Sequence, residues 1–369
     1  MIGGGTLRRA VATAILLCGL LAGTAQRAAA QSGTERAQDQ HDQMGAAAGP
    51  DLLVRAFGSV NWSGTDLPSA PNSFALGQLA LFVTSAVSDR ISVLAEIVME
   101  AGSANARVVT DLERLQVTFR LNDALAVSAG RYHTGIGFYN AAFHHGSYFE
   151  TPIGRPRIFA FEEDGGVLPV HELGLSARGV VPKTGAMLHY LAEVGNGRAW
   201  EPMAEGAAAR DANGSKSTNV GLSFQPGHWR GLELGTSFYR DAIPNTTLGD
   251  VAHRIGAAYA VYRTPAVEVM AEWLRLSHQT LDGRHFANLG GYAQASRAFG
   301  KVRPFYRFDR LTLDPATPFI GDLGSYQANI IGMRTDPAEW IGLKAQYERS
   351  DEAGHTGVNS VRTELVFVF

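Results

Sequence analysis

Four histidines, His133, His144, His145 and His171, gather around one long polar stretch, and imidazole is a frequent metal ligand. His144 and His145 are adjacent, so on an extended chain their side chains point apart. The only cysteine, Cys18, sits close to the N-terminus and leaves no thiolate to close a zinc site further along. Hydrogen-bonding loop histidines account for this cluster better than a metal centre does. The run Glu162, Glu163, Asp164, followed by Gly165 and Gly166, suits calcium by its carboxylates. EF-hand spacing is missing, however, and a mobile acidic loop tip explains the run more simply. A hydrolase needs a nucleophilic serine beside a base; His145 and Ser147 are close in sequence, but there is no G-x-S-x-G motif. These residues argue against an enzyme, and no metal or cofactor is expected.

The elements that position these residues follow an export signal. Arg8 and Arg9 precede an apolar run from Ala10 to Ala22, and Ala28, Ala29 and Ala30 precede Gln31. That order is the charged, apolar, small-residue sequence of a secretory signal, and the run is shorter than the roughly 20 residues of a spanning helix. Cleavage is expected after Ala30. Cys18 follows Leu17 rather than a small residue, which argues against a lipid anchor, and the mature chain then carries no thiol, as suits an oxidising periplasm. Residues 31–50 are polar and alanine-rich and read as a flexible leader. The net charge of −3 gives no footing to a nucleic-acid partner.

From Asp51 onward the period is two, which sends alternate side chains to opposite faces of a sheet. Ile91, Val93, Ala95, Ile97 and Met99 alternate with Ser92, Leu94, Glu96, Val98 and Glu100. Leu115, Val117 and Phe119 alternate with Arg114, Gln116, Thr118 and Arg120, and Ile341, Leu343, Ala345 and Tyr347 with Lys344, Gln346 and Glu348. Marking each such run predicts about sixteen strands, starting near residues 52, 73, 90, 108, 123, 169, 184, 216, 230, 250, 265, 285, 301, 323, 338 and 358. Although hydrophobic residues make up 45% of the chain, no stretch after Ala30 has the length of a membrane helix. Strands of about 10 alternating residues can still cross a membrane.

The connections separate a barrel from a soluble sandwich. Those after even strands are tight and carry turn residues, among them Ser88-Asp89, Asn122-Asp123, Pro226-Gly227 and Asp336-Pro337. Those after odd strands are mostly longer: 63 to 72, 132 to 168, 195 to 215, 241 to 249, 279 to 284, 313 to 322 and 350 to 357, with 102 to 107 hard to class. Short turns at one end and long loops at the other fit a transmembrane barrel, its apolar face outward because the other face has charges to shelter. The expected fold class is therefore all-β, an antiparallel transmembrane barrel over residues 51–369. The chain ends Leu365-Val366-Phe367-Val368-Phe369, with Leu365, Phe367 and Phe369 on the lipid side, and this end resembles the signal read by the barrel-assembly machinery of bacterial outer membranes.

A barrel of this size with its longest loop after the fifth strand resembles the general porin superfamily. Residues 130–140, GRYHTGIGFYN, with His144-His145-Gly146 and Arg155-Pro156, also resemble porin-like proteins grouped near the phosphate-selective porins. The resemblance implies a diffusion channel for small hydrophilic solutes or ions in the outer membrane of a Gram-negative bacterium, with outer-membrane lipid around it and a homotrimer as its common assembly. It also implies an inward-folded third loop that narrows the lumen, here 132 to 168. Arg131, His133, His144, His145, Glu150, Arg155, Arg157, Glu162, Glu163 and Asp164 would then line the constriction, with Arg155 and Arg157 as anion-attracting posts among the acids. That loop departs from the lysine- and arginine-rich lining of the phosphate branch, since it holds no lysine.

Assigning the polar face of each strand to the lumen puts Arg55, Arg114, Arg120, Arg178, Arg254, Arg303, Arg307, Lys344 and Arg362 on the wall. Glu96, Glu100, Glu172, Glu193, Glu233, Glu268, Glu272, Asp309, Glu348 and Glu364 join them, so the two signs nearly cancel and many should pair across strands. The alternative is a receptor or adhesin barrel that binds a partner through external loops such as 195 to 215; bilayer conductance separates the two.

Overall fold

Alternation of small or apolar with polar residues lets each segment bury one face and expose the other, which in a ring of strands becomes an inside and an outside. The computed structural model describes residues 51–369 except 69, 71, 102–106, 144–145, 184, 200–209, 212 and 353. The expected signal peptide and leader, His144 and His145 lie outside the described residues. Sixteen strands close into one antiparallel barrel. They are β1 (Asp51–Thr65), β2 (Ser73–Ser88), β3 (Ile91–Ala101), β4 (Val108–Asn122), β5 (Leu125–His133), β6 (His171–Lys183), β7 (Ala186–Gly195) and β8 (Ser217–Pro226). They continue as β9 (Leu232–Ile243), β10 (Val251–Arg263), β11 (Val267–Gln279), β12 (His285–Arg297), β13 (Val302–Thr312), β14 (Tyr326–Ala338), β15 (Ile341–Glu352) and β16 (His355–Val368).

β1 and β16 close the ring in register from Phe57 opposite Val368 to Thr65 opposite Ser360. Every strand starts within three residues of its expected position, the widest offsets being Tyr326, Ile341 and His355. The turns after even strands are short and lie at the end where Phe369 hydrogen-bonds Ala56. One expected long loop is absent: β15 runs to Glu352 and β16 starts at His355 across an irregularity after Ser350, so 350 to 357 is mostly strand.

The outward face carries exposed Leu115, Phe119, Leu222, Phe238, Trp273 and Ile331, the apolar band a barrel needs against hydrocarbon. Among the described residues no helix is long and apolar enough to cross a membrane. Ile331, 61% exposed near the middle of β14, tests this surface. Ile331→Arg is expected to lower unfolding free energy in phospholipid vesicles by about 2–4 kcal/mol, the usual cost of a cation at bilayer mid-depth. A urea titration reads it, and a negligible change would mean that the band does not meet lipid.

The other face holds the charges assigned to it from the sequence, with one correction. In β10 the larger set, His253, Ile255, Tyr259 and Val261, points inward, and Arg254 shares the exposed outward face, opposite Arg240 of β9. Period two alone gave Arg254 to the lumen because it took the apolar set as the outer one. Ile255 and Val261 instead join Met270, Leu274 and Leu276 of β11 and Leu311 of β13 in an apolar cluster on the inner face.

Candidate functional site

The longest connection, residues 134–170, leaves β5 at His133 and rejoins at His171, which face each other across the β5–β6 pair. Within it lie a short helix, α1 (Tyr139–Ala142), and 3-10 turns at Ser147–Phe149 and Arg157–Phe159. Its first residues are fixed by the wall. Gly135 N–H donates to Glu193 at 2.9 Å and Gly137 N–H to Ser237 at 3.1 Å. Phe138 and Tyr139 N–H both donate to the Glu272 carboxylate, at 2.7 and 2.8 Å, and the Tyr292 hydroxyl adds a third bond at 2.8 Å. Gly137 has φ +73°, and a Cβ there would stand 2.4 Å from a Glu272 oxygen, so only glycine allows the chain to turn this close to the carboxylate.

The segment then reaches strands on other sides of the ring. Arg307 of β13 donates to the Gly154 carbonyl at 2.7 Å, and Arg334 of β14 donates to the Tyr148 and Glu150 carbonyls. Lys344 of β15 donates to the Ser147 and Pro152 carbonyls, and Gln346 exchanges two bonds with Ile153. Phe149 packs on Phe57 of β1, ring centroids 4.9 Å apart. All these wall side chains lie on the face opposite the exposed apolar band. Ile136, Tyr139, Phe143, Ile158, Phe159, Val167, Leu168 and Val170 bury themselves against the inner residues of β9 to β13. The space on that side is therefore a dry core, which offsets the cost of placing loop backbone among charged side chains.

The residues expected at a constriction take different roles here. Arg155 is spent inside the segment, donating to the Phe159 and Phe143 carbonyls and to Asn140. Arg157 donates to the Asp164 carbonyl at an exposed position, and Asp164 is itself exposed. Glu150 is buried, and Arg131 donates to the Glu113 carbonyl. Burial pushes Glu162 up, but facing His171 and Arg198 outweigh it and hold the carboxyl below the usual range. Burial pushes Glu163 up to about 7, against its own backbone hydrogen bond and with Glu162 and Glu113 adding repulsion. Glu163 closes a recess with Val98, Glu100, Val109, Asp111 and Glu113, where the segment passes β3 and β4.

Wall charges pair across neighbouring strands, as expected, while Arg307 and Asp309 pair along β13. Arg114 meets Glu96, Arg178 meets Glu193 at 3.0 Å, Arg307 meets Asp309 at 3.1 Å and Lys344 meets Glu364 at 2.8 Å. Arg362 stands 3.7 Å from Glu348, Arg303 donates to Ser296, and Arg55 and Arg120 share the same inward face. Such an arrangement can seat a loop and offer fixed charges along whatever space remains.

Solved structures share this architecture at low sequence identity. An anion-selective porin from Comamonas acidovorans superposes with a TM-score of 0.62 at 11% identity, covering 87% of this chain and 100% of its own. The fold is that of the bacterial outer-membrane porins. The outer-membrane channel DcaP of Acinetobacter baumannii gives 0.57 at 12% identity, covering 88% and 99%, and OmpT, an outer membrane protein of Vibrio cholerae, gives 0.56 at 7%, covering 89% and 100%. No family model matches the chain, and no curated protein matches it in sequence.

Within this porin fold, sequence reasoning missed Glu113, Ser237, Arg334 and Gln346, and it took Glu272 for an ordinary wall charge. The closeness of Glu272 to Gly137 had one signal, a glycine just before α1, but its partner lies too far along the chain for any motif to link them.

Proposed function

We propose that the protein is an outer-membrane channel for passive diffusion of small hydrophilic solutes or ions, with the 134–170 segment inside the barrel as its constriction. One observation carries this: the segment bonds inward-facing side chains of β9, β11, β13, β14 and β15, strands on different sides of one closed ring. A lid resting on the rim would meet loops, whereas these partners lie within strands. Export to the outer membrane of a Gram-negative bacterium, assembly there in lipid and a homotrimeric form belong to the same reading; one OmpT neighbour is described as a trimer form. Of the two arginines between β5 and β6, Arg155 holds the segment together, and Arg157, whose bond to the Asp164 carbonyl is exposed, would be the one to meet passing ions. No particular anion, phosphate included, is favoured by the lining, because the recess beside the segment carries Glu100, Asp111, Glu113 and Glu163.

Swelling of proteoliposomes in sugars of increasing size tests the reading: small sugars should enter and larger ones be excluded, and no swelling with any sugar or salt would refute it. Arg157→Ser should move the reversal potential in a salt gradient toward cation preference with conductance kept, since a fixed charge acts most strongly where bulk water is scarce. Arg55→Ser, on the β1 wall outside the segment, should move it much less. Equal shifts in the two variants would take the filter away from the segment.

A further inference from the structure

We propose that Glu113, His133 and His171 form a binding site for a divalent transition-metal ion of the zinc type, which clamps both ends of the 134–170 segment to β4. One ligand atom from each residue lies within 4.8 Å of the other two, and all three side chains are buried. The His171 Nε2 stands 2.6 Å from Glu113 Oε2, so these two already point at a common place, and the His133 ring lies edge-on to the His171 ring with centroids 4.8 Å apart. Two imidazoles and one carboxylate are a recurrent zinc donor set, with a fourth position left for water.

The surroundings suit that role. His171 Nδ1 faces Glu162 Oε2 at 3.2 Å, while the other Glu162 oxygen accepts the N–H groups of Val170 and His171. A carboxylate behind a histidine fixes the ring and the tautomer that presents Nε2 outward, the usual outer support of a metal-bound imidazole. Phe161 stacks on the His171 ring and packs it in place. Zinc would bind Nε2 in place of any proton it carries, and that proton would leave to solvent. His133 and His171 are opposite each other where the segment leaves and rejoins the wall, so one ion would tie the two chain ends and the neighbouring strand together.

The test uses the refolded barrel, stripped with EDTA and titrated with Zn2+ against a chelating dye. One equivalent is expected to bind. Glu162→Gln, which touches no metal, should weaken it about 10- to 100-fold, as loss of an orienting partner does. His133→Gln and Glu113→Gln should weaken it more, and His278→Asn, at the stacked His253–His278 pair elsewhere in the barrel, should leave it unchanged. X-ray absorption of the wild-type zinc form should read two imidazole ligands, a result independent of whether any variant folds. Failure to bind, an absorption spectrum without two imidazoles, or an equivalent retained by both ligand variants would overturn the site.

Discussion

Excising residues 138–167 and joining the ends with a short linker is expected to raise single-channel conductance several-fold. The geometry allows it, because the remaining stubs 134–137 and 168–170 spring from His133 and His171, register partners, and antiparallel partners stand only about 5 Å apart. As the proposed constriction, the segment fills one side of the barrel interior with Tyr139, Phe143, Ile158 and Phe159, packed on Met270, Leu274 and Tyr292. Removing it replaces a dry core with water and widens the path for ions. The variant should also be less stable, since each large apolar side chain newly exposed on the wall forfeits roughly 1.5–3 kcal/mol. The closed ring of strand hydrogen bonds remains to hold the barrel. Conductance steps no larger than those of the full chain would place the segment outside the ion path.

Glu272→Ala should be the most damaging single substitution on the wall. Its carboxylate accepts from Phe138 N–H, Tyr139 N–H and the Tyr292 hydroxyl, in a place where the side chain is 3% exposed. Alanine leaves buried donors without an acceptor, at about 1–3 kcal/mol each, so a loss of about 3 kcal/mol or more is expected in urea unfolding. Ser237→Ala removes the single bond to Gly137 N–H and should cost only about 1 kcal/mol. The Glu272→Ala channel should flicker as the start of the segment swings free, which noise in current recordings reads. Similar melting of the two variants, with quiet currents in both, would show that Glu272 does not anchor the segment.

Strand number, starting points and, apart from 350 to 357, the sorting of short turns from long loops were legible because period two is a direct image of the pleat. Leu115, Val117 and Phe119 against Arg114, Gln116 and Thr118 reads the same on the page and in the barrel. The failures have physical causes. β10 is apolar on both faces once its inner side packs on the segment, so alternation could not say which side Arg254 takes. Glu113 sits where the β3–β4 register slips between Glu96 and Ile97, and a bulge is invisible to any fixed period. The contacts of Arg307, Arg334 and Lys344 with loop carbonyls join residues far apart in the chain, and a carbonyl has no side-chain identity for a motif to record. His133 and His171 were grouped with His144 and His145 by proximity in sequence, whereas the strand pairing itself brings the first two face to face.

Single-channel recording of the refolded protein in a planar bilayer decides whether the barrel is a channel. Discrete, long-lived, nearly ohmic steps whose size grows with salt concentration are expected, with reversal potentials that report a modest ion preference. Protein that is folded by strand content and heat-modifiable migration, inserts in the bilayer and yet gives no steps at any salt concentration would contradict the proposed function.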